Sequence, residues 1–430
     1  MMNKFYTSLA IMMLTLVSCN KVPEQVTQQS DYEKYLEEDS EITVEKIKQD
    51  HDFWKKKIGE TPGQFPYLVK MAAAESGLFN LTGDIEYLIM AENNLKEAIE
   101  KTNYNNAGYL KSLARNYISQ HRFREALTLL DTAEVIGEKI NGTHKMLFDV
   151  HMELGNYDKA ETYLQKIEDP SDFDFLIRYA KWSDHKGDLG TAITNLEKAR
   201  GKAELANIKD LKQWSYTNLA DFYGHNGEIQ KSYKHYLMAL ELDPNDAYAK
   251  KGIAWIIYSH ERNPKEALRI LNSITKQHQA PDYYLLKAEI AEFMNDDASK
   301  KLNQDLFLTA VSNENFGGMY NFTIAILYAE ELLATEKAFD LAIREIKNRS
   351  TPQAYDLLAW AHYNNGDYEK ALEIAEQHVV NKTFEPNVLL HLAHIYKATG
   401  KTKEAESLKK ELMESIYELG PVAEQKIRQI

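Results

Sequence analysis

Residues 213–246 read QWSYTNLADFYGHNGEIQKSYKHYLMALELDPND, and this stretch predicts two short antiparallel helices. Leu219, Ala220 and Tyr223 recur at the spacing of one helical face. Asn226-Gly227 predicts the turn, because glycine accepts the left-handed conformation in which helices end. Ser232, Tyr236 and Ala239 then mark the inner face of a second helix. Asp243-Pro244 stops it, since the residue before a proline is pushed away from helical geometry.

The pattern recurs along the chain. Units begin at 107, 141, 173, 213, 247, 281, 318, 352 and 386, most of them 34 residues apart. Their eighth positions are Ala114, Phe148, Ala180, Ala220, Ala254, Ala288, Ala325, Ala359 and Ala393. About twelve residues later comes a second small residue: Ala126, Ala160, Ala192, Ser232, Ala371 or Ala405, with Ala267 and Ala338 one place late. Small side chains at both places let two helices cross closely. Residues 352–385 repeat the scheme best, with Leu358, Ala359, Gly366, Asp367, Tyr368 and Ala371. The unit at 281 departs most: Lys300 takes the second small position and no glycine marks the turn, so its second helix is not assured. The unit at 173 has six extra residues near 202–209, enough to lengthen a helix or loop. Before residue 107, Phe79, Gly83-Asp84, Ala91, Leu95 and Ala98 read as a longer unit.

These units resemble the tetratricopeptide repeat family over residues 65–420. The resemblance implies an all-α, right-handed solenoid of antiparallel helix pairs, with about ten units. Residues 41–64 are expected to form an atypical N-terminal cap, because an end unit has one face in water. Residues 421–430 read as a C-terminal tail.

The N-terminus carries a second signal. Met1 to Lys4 is a short positive start, and Phe5 to Leu16 is apolar but too short for a permanent span. Leu16-Val17-Ser18-Cys19 resembles the lipobox of bacterial lipoproteins, which implies a signal peptide over 1–18 and lipid on Cys19. Cys19 is the one cysteine in 430 residues, which excludes an internal disulfide. Residues 19–40 are polar and predict a flexible tether. The expected location is a bacterial cell envelope, with lipid anchoring to the outer membrane preferred and the body periplasmic or surface-exposed.

The net charge of −14 argues against nucleic acid, which calls for a basic face. There is no phosphate-binding glycine loop, zinc-protease motif or nucleophile elbow. Neither enzyme activity nor a cofactor is expected. His391 and His394 stand one helical turn apart and could hold a metal with help from elsewhere; packing of one and exposure of the other is the alternative.

Binding remains. In the family, positions 2, 5, 9, 12 and 13 of each first helix line the concave face. Carried over, these positions hold Lys111, Arg115, Lys145 and Lys181 in early units, a basic mouth. Later units place Tyr248, Trp255, Tyr258, Phe322, Ile326, Trp360 and Tyr363 there, an aromatic floor suited to anchoring a peptide. A tight superhelical twist would instead bury these rings. The pattern that clamps chaperone tails fails here, because Arg115 and Met146 stand where asparagines belong. Two functions follow: a protein- or peptide-binding scaffold, or a glycan-capturing lipoprotein resembling the starch-utilisation type. No small-molecule substrate is expected for the scaffold.

Overall fold

The computed structural model describes residues 24–37, 41–332 and 334–430. The expected signal peptide over residues 1–18 and Cys19 lie outside the described residues. Among those described there are helices and no strand. Helix α1 (Gln29–Leu36) and α2 (Glu41–Glu60) precede the repeats. Five pairs follow: α3 (Pro66–Thr82) with α4 (Ile85–Lys101), α5 (Ala107–Ser119) with α6 (Phe123–Ile136), α7 (Ile140–Glu153) with α8 (Tyr157–Lys166), α9 (Phe173–His185) with α10 (Leu189–Ala206), and α11 (Lys209–His225) with α12 (Ile229–Leu242). Next come α13 (Ala247–Trp255), a π turn at Ile256–His260, and α14 (Pro264–Ile274). The last pairs are α15 (Asp282–Phe293) with α16 (Asp297–Val311), α17 (Asn321–Glu330) with α18 (Thr335–Asn348), α19 (Pro352–Asn364) with α20 (Tyr368–His378), and α21 (Pro386–Ala398) with α22 (Thr402–Glu414). Helix α23 (Ile416–Arg428) follows them. None of the described helices is long and apolar enough to cross a membrane.

The ten pairs form the all-α solenoid that the repeat predicts. Every crossing residue named above is buried apart from Lys300, including Phe148, which packs with Ala160, Leu164 and Phe175. Gly227 turns the chain at φ +74° between α11 and α12. The doubtful second helix of the 281 unit is present as α16. Asn295 adopts the left-handed turn at φ +58°, and the Asp296 side chain caps the Ser299 amide at 3.0 Å. Lys300 is accommodated because its ammonium pairs with Glu292 and Glu331, at 3.0 and 2.8 Å. The six extra residues of the 173 unit extend α10 to Ala206. The π turn after α13 inserts one residue, which matches the late position of Ala267.

Successive turns of the superhelix touch. The Gln279 amide donates to the Thr82 carbonyl at 2.7 Å, and Arg124 Nε donates to the Asn348 carbonyl at 2.7 Å. A Cβ added at Gly155 would meet the Ser350 carbonyl at 2.8 Å, and one at Gly187 would meet the Phe384 ring at 3.0 Å. In most of these contacts the turn within one unit meets the connection entering the unit six places later. The twist is therefore tight, close to six units per turn.

Two terminal expectations are corrected. The described part of the tether, residues 24–37, is docked on α12 and α14. Tyr32 is 2% exposed and donates to Glu266 at 2.8 Å, while Glu261 accepts from the amides of Val26 and Thr27 at 2.7 and 2.6 Å. Arg269 pairs with Glu33 at 2.7 Å. Two tyrosines three residues apart hold one helical face down, an anchor that low aliphatic content conceals. The C-terminal residues 421–430 are likewise no free tail. They lie mostly in α23, where Val422 and Ile427 are buried.

Candidate partner-binding channel

The mouth residues are largely neutralised. Lys145 is paired with Asp172 and Asp174, at 2.9 and 2.8 Å. Burial depresses its ammonium, but the hydrogen bonds to Asp174 and Asp172 outweigh burial and hold it protonated above the usual range. Lys181 pairs with Glu153 at 2.8 Å, and Arg178 beside it pairs with Asp149 at 2.6 Å. Lys111 directs its ammonium at the carbonyls of Glu138 and Lys139, 3.3 and 3.4 Å away. Burial, then the charge of Lys139, lowers its pKa. Arg115 is exposed. The four cations do not form an open basic patch, because carboxylates of neighbouring units meet Lys145 and Lys181 and backbone carbonyls meet Lys111.

The aromatic residues divide. Tyr248 is 49% exposed, with its hydroxyl donating to Asp221 at 2.6 Å. Tyr258 is 0% exposed, wedged between Trp255 and Phe293, and donates to Glu289 at 3.1 Å. Trp360 is 7% exposed; its indole donates to Glu330 at 2.8 Å, and its ring stacks on His391 and Tyr363 at 4.0 and 4.6 Å. Tyr363 is half-buried, and Phe322 and Ile326 pack against the Ala325–Ala342–Leu357 cluster. The open aromatic floor is thus corrected: Tyr258 and Trp360 are core, because the tight twist brings neighbouring first helices over them.

Trp255 is covered differently. Helix α23 lies on the inner face, against α11, the π turn, α15 and α21. The Trp255 indole and the Ser259 hydroxyl both donate to the Tyr417 carbonyl, at 3.0 and 2.6 Å. Gly420, at φ +83°, breaks α23 where a Cβ would meet Glu289 Oε1 at 2.7 Å and the Trp255 ring at 3.0 Å. Arg262 pairs with Glu424 at 2.6 Å, and Glu330 with Lys426 at 3.2 Å. Sequence reasoning missed α23 as an inner element; the Gly420-Pro421 break after the last repeat was its one signal.

The channel lining is acidic. Burial pushes Glu289 up to about 7, helped by Glu292 and opposed by Tyr258 and Lys426. Burial also raises Asp221, Glu385 and Glu418; the charge of Glu418 adds to the rise at Glu385, and that of Asp184 adds to both. In Glu330 burial is outweighed by Lys426 and His391, which lower its pKa.

His391 and His394 do not act together. His391 Nδ1 lies 2.7 Å from Asp356 Oδ2 inside the core. His394 is driven down to about 4, chiefly by burial and then by His391. Among the described residues there is no group of three or more His, Cys, Asp or Glu placed to hold a metal.

A second concavity opens outside the channel. Because α8 is only ten residues long, it leaves part of α9 uncovered. The resulting cleft, about 430 Å³, is lined by Phe175, Tyr179 and Trp182 with Glu161, Gln165, Ser183 and Thr191.

Models of the tetratricopeptide repeat match residues 215–246 and 352–377. No curated protein matches the chain. Among solved structures, a tetratricopeptide repeat protein from Parabacteroides merdae is 18% identical, with TM-score 0.39 over 58% of this chain and 94% of that one. PilF of Pseudomonas aeruginosa is 15% identical, with TM-score 0.36 over 55% and 97%. The human IFIT1 dimer with m7Gppp-AAAA is 15% identical, with TM-score 0.47 over 77% and 75%. Two units match the tetratricopeptide repeat in sequence and the others repeat their paired helices and buried crossing residues, so the described part of the chain is a solenoid of tetratricopeptide-type repeats.

Proposed function

We propose that the protein is a non-catalytic scaffold, lipid-anchored in a bacterial cell envelope, that holds a segment of a partner protein against the inner faces of its first helices. One observation carries this reading: the channel already accommodates a helix, α23, through paired backbone and side-chain bonds. A surface that satisfies a helix's carbonyls and charges is a surface for polypeptide.

The membrane part of the reading rests on Leu16–Cys19. Cys19 precedes Glu24 by five residues, a reach of at most about 18 Å. With residues 26 and 27 bonded to Glu261, a lipid on Cys19 holds the outer face of α12 and α14 close to the bilayer. The test is photo-crosslinking in intact cells from a probe at Arg115 or Tyr248, both exposed. Recurrent protein adducts support the scaffold, and adducts to no protein overturn it. Replacing Cys19 with Ser should abolish incorporation of labelled palmitate.

The glycan-capturing alternative has one observation in its favour, the cleft beside α8. Tyr179 offers an exposed ring there, above the buried Phe175 and Trp182, and Glu161, Gln165 and Ser183 offer partners for sugar hydroxyls. Binding on a glycan array that Tyr179→Ala removes would favour this reading over the scaffold.

A further inference from the structure

We propose that the channel across α11, α13, α15, α17 and α21 is a receptor for an amphipathic helix with a cationic end, and that α23 is its resident, displaceable occupant. This rests on the scaffold reading and names its partner's chemistry and the condition for binding.

The first ground is the nature of the contacts. A terminal cap of a helical array has to cover only the last pair, and α23 does so through Leu419 and Ile427, which pack with Leu390, Ala393 and Leu412. Its opposite side does something a cap does not require. It reaches the unit four places before the last pair, where Trp255 and Ser259 donate to the Tyr417 carbonyl. That carbonyl sits at the start of α23, so the bonds hold its entry and not its length.

The second ground is charge. Lys426 enters a carboxylate site: Glu330 lies at 3.2 Å, and Glu292 and Glu331 add to the field that raises its pKa against burial. Arg262 meets Glu424, and His225 lies 3.7 Å from Glu418, two pairings of the opposite sense. A helix with apolar residues on one face and a lysine or arginine in its last turn reproduces these interactions.

The third ground is a break at the centre. Gly420 packs closely against Glu289 and the Trp255 ring and is buried with Pro421, but the two residues interrupt the helix, so α23 does not run as one continuous hydrogen-bonded segment. A segment held at its two ends and broken between them opens more readily than the repeats, whose crossings are sealed by buried alanines.

The experiment uses the full chain, a fluorescent peptide with the sequence of residues 415–430, and hydrogen exchange of α23. Lys426→Glu is the opening variant, and Glu424→Gln is a second one that leaves both Arg262 and the Glu330 site intact for the peptide. The expected result is α23 amides exchanging at least tenfold faster than those of α21 in the unaltered chain. Both variants should widen that gap and capture the peptide at least tenfold more tightly, and adding Glu330→Lys to Lys426→Glu should reverse the gain. Exchange of α23 in step with α21 and α22, or opening without peptide capture, would overturn the proposal and leave α23 a fixed cap. Peptide capture together with no protein adduct in cells would sink the scaffold reading alone, so the two failures are distinguishable.

Discussion

The Trp255 indole, at a position expected to face an open groove, donates a 3.0 Å hydrogen bond to the backbone carbonyl of Tyr417, 162 residues away. The bond joins the inner face of a middle unit to the last helix. It makes the state of the channel depend on the C-terminus, and it separates two tryptophans that share the ninth position of their repeats.

Trp360→Ala should destabilise the fold by roughly 3–5 kcal/mol, the usual cost of emptying a buried aromatic site. Its ring is stacked on His391 and Tyr363 and bonded to Glu330. Trp255→Phe should cost only about 1 kcal/mol, one neutral hydrogen bond, while hastening exchange of α23. Chemical unfolding beside hydrogen exchange checks both; equal losses of stability would contradict the distinction.

Ala220→Leu and Ala359→Leu should each lower stability by roughly 1–3 kcal/mol, because both positions are 0% exposed at helix crossings and the added atoms have no space. Calorimetric melting of either variant at the unaltered temperature would contradict this.

Gly224→Ala replaces a helical glycine, a change that on intrinsic propensity would stabilise α11 by about 0.5–1 kcal/mol. The opposite sign is expected, since the new Cβ would collide with the Tyr417 ring. The displaced ring should loosen α23, visible as faster exchange over residues 416–428.

Glu289 should contribute a loss of stability as pH rises from about 4.5 to about 7, opposite in sign to the contribution of His151 and His394, whose pKa values burial lowers. Its folded pKa lies above its ordinary value, so its stabilisation is complete below about 4.5 and is lost as pH rises through about 7. Tyr258, Glu292, Lys426 and the Gly420 backbone surround it. Glu289→Gln should remove its share of the slope, measured by denaturant unfolding at several pH values. Asp221, Glu385 and Glu418 are raised by burial too and should keep the remainder. An unchanged slope in the variant would contradict the assignment.

The repeat was legible from the chain because its determinants are local. Ala220 and Ser232 lie twelve residues apart and meet across a turn that Gly227 permits, so pattern and contact coincide. The same locality explains why the extra residues before 209 could be read as lengthening a helix or loop, of which the structure shows the longer helix. The candidate site was legible only as positions. Trp255, Tyr258 and Trp360 stand at groove positions, yet their exposure depends on how far each unit rotates relative to the last, and that small angle is summed over many units. The pairing of Lys145 with Asp172 and Asp174, and of Lys181 with Glu153, joins adjacent units about thirty residues apart and leaves no short-range signal.

The sequence by itself determined the unit: two helices, a small-residue crossing, a turn, and the order of ten such pairs, all set by contacts within about 34 residues. Only the tertiary structure decided what the units enclose. It placed Tyr32 on α14, Tyr417 on Trp255 and Lys426 on Glu330, contacts that span 234, 162 and 96 residues. Such contacts arise where the superhelix returns on itself and where the two terminal segments find the surfaces it creates. No periodicity encodes them, because they depend on the accumulated twist and not on the spacing of residues within a repeat.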